Sequence, residues 1–232
     1  MGSIADNIGG VTRRIQKATK AANRPENSVR LLAVSKRKPA GDVRSAAAAG
    51  QRAFGENYVQ EALEKMAALA DIPRLEWHFI GPIQSNKTRD IAVHFDWVHS
   101  VDRLKIARRL SDQRPEDKPP LNICLQVNVD NEETKSGTTL ESIPQLATDV
   151  LQLPNVRLRG LMAIPDPDQS EESLRARFRA LASMLNQLRH AHPGATGLDT
   201  LSMGMSGDLD LAIEEGATIV RVGTALFGAR EA

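Results

Sequence analysis

The feature that most constrains this chain is a regular alternation. Short apolar runs of strand character take turns with amphipathic stretches of helical period along its whole length. The strand-like runs fall at 31–35, 52–55, 76–80, 97–101, 122–129, 157–164, 200–205 and 219–227. Helical stretches at 41–49, 58–70, 85–95, 102–113, 139–152, 171–190 and 208–215 separate them, and a further helix at 4–22 precedes the first strand. Periodicity decides each type. Ile8, Val11, Ile15 and Ala18 recur at the spacing of one helix face. In 122–129 the period is two: Ile123, Leu125, Val127 and Val129 share one side, and Asn122, Cys124, Gln126 and Asn128 the other.

Strands separated by helices predict parallel pairing through right-handed crossovers. With eight strands the economical closure is an α/β fold of the (β/α)8 TIM-barrel type, and 232 residues is close to the roughly 250 typical of that fold. A doubly wound open sheet is the alternative. It fits less well, because no G-x-G-x-x-G follows the first strand. Little chain remains after the eighth strand, so the 4–22 helix is expected to complete the outer ring. The Pro-rich 114–120 and the polar 165–170 read as surface loops, and residues 1–232 as one domain.

Charge narrows the function classes. With 30 basic and 29 acidic side chains the net charge is +1, which supplies no long-range field for nucleic acid or an anionic membrane. Any bound anion must be held locally. A lone Cys124 forbids an internal disulfide, and five histidines with one cysteine show no metal-ligand spacing, so no metal is expected. The first residues lack the apolar stretch of a signal peptide, and no run approaches the roughly 20 apolar residues of a membrane span. The expectation is a cytoplasmic, monomeric protein.

A barrel carries its site at the carboxyl ends of the strands. Lys36 directly follows the first strand, flanked by Arg37 and Lys38; neighbouring cations disfavour an ammonium and suit a Schiff-base amine, although a solvated basic turn would look the same. Ser202-Met203-Gly204-Met205-Ser206-Gly207 ends the seventh strand and opens a helix, an arrangement that can hold phosphate without net positive charge or can be an ordinary capped turn. Gly223 and Thr224 add donors after the eighth strand, where barrels commonly bind phosphate. Arg221 alternates inward with Gly223, and a guanidinium there needs acceptors. Asn57 can face a ligand or cap the following helix, and His78 can line the site or sit satisfied in the core.

Trp77-His78-Phe79-Ile80-Gly81-Pro82-Ile83-Gln84-Ser85-Asn86-Lys87, with Ile91 four beyond, resembles the signature of the YggS/PROSC family of pyridoxal phosphate homeostasis proteins. Ala33 to Lys36, Phe54 to Tyr58, Lys135-Ser136-Gly137, Leu201 to Ser206 and Val220 to Gly228 are similar to that family's other blocks, in order and over nearly the whole chain. The resemblance implies a barrel like the amino-terminal domain of alanine racemase, with pyridoxal 5′-phosphate (PLP) as cofactor. It further implies Lys36 as the aldimine lysine, Ser206, Gly223 and Thr224 as the phosphate cradle, and Arg221 as partner of the pyridine nitrogen. Met203, Asn57 and His78 are expected around the cofactor, and Lys135 marks a second cofactor position. PLP-requiring apoenzymes are the implied partners.

An arginine can only donate, so a ring nitrogen facing it stays unprotonated and is a weak electron sink. A racemase also needs an acid or base on each face of the substrate carbon. Tyr58, the sole tyrosine, is the one tyrosine that could supply the second. The expectation is therefore a non-catalytic PLP carrier, with a small amino-acid racemase as the alternative.

Overall fold

The computed structural model describes residues 2–130, 132 and 136–228. Its centre is a closed barrel of eight parallel strands paired in sequence order, β1 returning to β8. The strands are β1 (Arg30–Val34), β2 (Ala53–Glu56), β3 (Glu76–Phe79), β4 (Trp97–Val101), β5 (Leu121–Val127), β6 (Val156–Ala163), β7 (Thr200–Ser202) and β8 (Ile219–Val222). Helices α1 (Ile4–Ala21), α2 (Ala40–Ala48), α3 (Val59–Ala68), α4 (Thr88–His94), α5 (Leu104–Asp112), α6 (Ile143–Val150), α7 (Glu171–Ala191), α8 (Leu209–Glu214) and α9 (Thr224–Phe227) surround it. The expected barrel is the fold.

Two strands end earlier than their apolar runs. The apolar pattern carries the seventh to 205, but the strand stops at Ser202, because Gly204 takes a left-handed φ of 93° and turns the chain. The pattern carries the eighth to 227, but that strand stops at Val222; Thr224–Phe227 is a helical turn. α1 fills the gap on the ring as expected, packing on α2, α8 and α9. A capping box starts it: Ser3 Oγ accepts from the Asp6 amide, and the Asp6 carboxylate accepts from the Ser3 amide. Ile8, Val11, Ile15 and Ala18 form its buried face. Asn7 Nδ2 then donates to Leu226 O at 2.9 Å, and the Arg14 guanidinium binds Asp210 and the Ser206 carbonyl.

The main apolar core lies between strands and helices, and each strand contributes alternate residues to it. Ile123, Leu125, Val127 and Val129 face this layer, as their period predicts. The opposite residues line the barrel. Leu32, Ala53 and Ile219 cluster there, as do Trp97, Cys124 and Met162. The register of β6 slips by one between Leu158 and Gly160. A Cβ at Gly160 would collide with the Thr200 carbonyl, so only glycine lets β6 approach β7 there. The slip leaves Arg159 at the amino end of the barrel, its guanidinium 4.7 Å from the Trp97 ring centre and bonded to Asp199 and Asn122. That end is closed. The carboxyl ends of the strands form the other.

Candidate functional site

Lys36 continues the inward alternation of Leu32 and Val34 and is half-buried at the barrel mouth. Gly223 lies against the backbone and side chain of Val34, so the loop after β8 adjoins the lysine's root. Ser35 points the other way, toward α3. Its hydroxyl donates to Glu56 at 2.6 Å, and Lys65 of α3 donates to Glu56, Glu61 and the Ser35 carbonyl at 2.6–2.8 Å. This buried group pins the β1 turn to α3 and so fixes where Lys36 starts. Burial pushes the Glu56 carboxyl up against the pull of Lys65. Sequence reading missed this cluster; its signal was a lysine on the buried face of α3 beside Ala62 and Leu69.

The flanking basic residues do not act as a simple cluster. Arg37 has a left-handed φ of 58° and lies over the Tyr58 ring, 5.7 Å from its centre. Tyr58 itself is exposed at the rim.

Asn57 does not cap α3; the N-cap position is Tyr58, and no side chain caps the helix there. Its Oδ1 is buried with no hydrogen-bond partner among the described residues. Gly81 holds it there, since a Cβ at Gly81 would overlap the Asn57 carbonyl. A buried acceptor without a donor is costly unless a ligand supplies one.

Arg221 enters the barrel as its alternation predicts and is buried. It donates from Nη1 to the Ser202 carbonyl (2.6 Å) and hydroxyl (2.8 Å), and from Nη2 to the Ala163 carbonyl (2.8 Å). None of the described carboxylates pairs with it, and burial brings its pKa down to about 10. The guanidinium thus sits at the ends of β6 and β7 with donors to spare.

Ser206 is half-buried on the loop after β7, and Thr224 is exposed at the start of α9, just after β8. The amides of Ser206, Gly207, Gly223 and Thr224 donate to no group among the described residues. Four amides and two hydroxyls are a donor set suited to an oxyanion.

Two expectations need correction. Met203 is fully buried in the outer layer, because Ser202 and Gly204 take the inward positions. Its side chain cannot reach the mouth. His78 faces inward, but both ring nitrogens are taken, Nε2 by Glu76 at 2.6 Å and Nδ1 by His99 at 2.8 Å. It is a satisfied core histidine. Lys135 lies outside the described residues. Cys124 is buried, its thiol pushed up to about 12 by that burial. The described residues show no cluster that could hold a metal ion, and no helix long and apolar enough to cross a membrane.

Residues 7–231 match the family described as alanine racemase, N-terminal domain. The pyridoxal phosphate homeostasis protein of Pseudomonas aeruginosa is 63% identical, the alignment covering 100% of this chain and 97% of that one. The chain belongs to the pyridoxal phosphate homeostasis protein family. Another structure similar to it is PipY from Synechococcus elongatus with PLP bound: 40% identity, a TM-score of 0.84, and coverage of 97% of this chain and 100% of that one. Alanine racemase from Corynebacterium glutamicum shares the fold alone, at 18% identity and a TM-score of 0.65 over 99% of this chain and 61% of the racemase. Family members of this kind are thus single matches from end to end, whereas the racemase extends well beyond the shared barrel.

Proposed function

We propose that this chain binds pyridoxal 5′-phosphate at the barrel mouth with Lys36 as covalent anchor, and that it holds, buffers and delivers the cofactor without turning over a substrate. The observation that carries this is the convergence on one mouth of four complementary features. The inward Lys36 suits the aldehyde: its amine forms a C=N bond to the aldehyde carbon and one water leaves. The orphaned Asn57 Oδ1 suits the ring hydroxyl. The spare donors of Arg221 suit the pyridine nitrogen, and the free amides with Ser206 and Thr224 suit the phosphate. A relative 40% identical whose structure has PLP bound supports the same reading.

The carrier role follows from the chemistry of the neighbours. Arg221 cannot accept a proton from the ring nitrogen's side or share a negative charge with it, so the nitrogen stays unprotonated and withdraws electrons weakly. The only tyrosine is exposed at the rim with Arg37 over its ring, an unsuitable place for the second base of a racemase. Delivery implies PLP-requiring apoenzymes as partners.

The test begins with the visible spectrum. The purified protein is expected to be yellow, or to become so with added PLP, and borohydride should fix the cofactor on Lys36 in peptide mass spectra. A protein that stays colourless, or an adduct confined to Lys38, would sink the proposal. Deuterium entering the α-carbon of any amino acid at about 1 s⁻¹ or faster, within the usual enzyme range, would replace the carrier with a racemase.

A further inference from the structure

Behind Arg221 a continuous line of side chains crosses the barrel interior. Arg221 Nη1 contacts Ser202 Oγ at 2.8 Å, Ser202 Oγ contacts His99 Nδ1 at 2.7 Å, His99 Nε2 contacts His78 Nδ1 at 2.8 Å, and His78 Nε2 contacts Glu76 Oε1 at 2.6 Å. The same Glu76 oxygen receives Arg30 Nη2 at 2.6 Å at the far end of the barrel. The four bonds join β8, β7, β4 and β3.

The two ends decide the direction of every bond between them. A guanidinium only donates and a carboxylate only accepts. With Glu76 ionised, His78 must carry its proton on Nε2, so His78 Nδ1 accepts. His99 then donates from Nε2 and accepts at Nδ1, the Ser202 hydroxyl donates to it, and Ser202 Oγ accepts from Arg221. All donors point from Arg221 toward Glu76, and both imidazoles are neutral. The opposite direction would need an extra proton, making His78 an imidazolium. Burial lowers both histidines, and for His99 the cations Arg221 and Arg30 lower it further. Burial works to raise Glu76, but His78 and Arg30 hold it down at about 2. The other charged or titratable groups facing the line are Asp96 and Arg30 toward His78, and Asp208 and the neutral Cys124 thiol toward Arg221.

We propose that Glu76, His78, His99 and Ser202 form one positioning relay for Arg221, holding its guanidinium in a single orientation so that its outward N–H donors meet the ring nitrogen of bound PLP. The relay touches no cofactor atom itself. It rests on the reading of Arg221 as the ring-nitrogen partner.

Two measurements test it. In cofactor-free protein, nitrogen-15 NMR should find both His78 and His99 as neutral Nε2–H tautomers at neutral pH; an Nδ1–H tautomer or an imidazolium at either overturns the orientation. In the second arm, affinity is measured for PLP and for its 1-deaza analogue, in which a C–H replaces the ring nitrogen. His99→Leu and Ser202→Ala should weaken PLP about tenfold, the range of one hydrogen bond to a charged group, and leave the analogue unchanged. Equal losses for both ligands overturn the positioning role and leave the PLP site standing. Should His99→Leu not fold, Ser202→Ala, which removes a single oxygen, decides. Wild-type protein that binds neither ligand overturns the mouth as a PLP site, and the ring-nitrogen role falls with it, whatever the tautomers.

Discussion

The two faces of the same eight strands are built on different physics. The outer face meets the helices through Phe54, Phe79, Ile123, Leu125 and Val220, all buried and apolar, with Phe178 and Leu181 of α7 opposite. The inner face carries Glu76, His78, His99, Gln126, Ser202 and Arg221 beside its few apolar residues. Apolar burial is non-directional, at roughly 25 cal/mol per Å², so the outer layer specifies the fold while tolerating exchange among shapes. Buried polar groups are directional, and each depends on a named partner. Stability and site chemistry are therefore carried by opposite sides of one sheet, which lets either be changed with little effect on the other.

The sharpest way to break that separation is a matched pair of variants. Lys36→Ala, on the inner side at the rim, should abolish borohydride-fixable PLP while leaving helical circular dichroism and the Tm unchanged. Phe178→Ala, in the outer layer, should cost about 3–5 kcal/mol of stability and leave the visible spectrum of the loaded, folded protein as it was. Denaturant titration and absorbance read both. A Lys36→Ala protein that loses its helices, or a folded Phe178→Ala protein that cannot take up PLP, would join what the two faces keep apart.

A smaller effect sharpens the comparison at the phosphate end. Ser206→Ala and Thr224→Val should each weaken PLP by about 1.5–3 kcal/mol and leave unphosphorylated pyridoxal unaffected. Equal losses for both ligands would mean that these hydroxyls face something other than phosphate.

The smallest effect is spread over several pH units. The folded protein keeps His78 and His99 neutral below their unfolded value of 6.5. As pH falls through that value the unfolded chain takes up protons that the folded one refuses, so stability declines. Glu76 continues the trend, its contribution being complete above 4.5 and lost as pH falls toward about 2. The Tm should therefore drop between pH 7 and pH 5 and keep dropping below. A Tm that is flat from pH 7 to pH 5 would show that the inner histidines are not held neutral.

The outer face was the legible one. Period-two and helical spacing are local properties, so they placed the strands, the α1 face and the two sides of β5. Local pattern also put Lys36, Asn57, Arg221, Gly223 and Thr224 on one mouth, because strand ends in a parallel barrel converge there. It failed where the deciding contact is distant in sequence. His99 and Ser202 are 103 residues apart, and nothing near either foretells the other. Sequence draws His78 toward the cofactor because its partner is invisible there. It groups Met203 with its loop, although alternation with Ser202 already turns that side chain outward. Inward polar residues on β3, β4 and β7, Glu76, His78, His99 and Ser202, are the available signal.

The clasp between α1 and the last loops bears on when this molecule can first work. Asn7 binds Leu226, 219 residues away, and Arg14 binds the Ser206 carbonyl across 192 residues. β1, which leads into Lys36, completes its pairing only when β8 arrives. Contacts of such sequence separation form slowly, because the ends of a long loop must be brought together first. During synthesis the anchor lysine is made well before the donors proposed for phosphate and ring nitrogen. A chain made only as far as β6 would offer PLP an amine without a cradle, and uptake should await the pairing of β8 with β1.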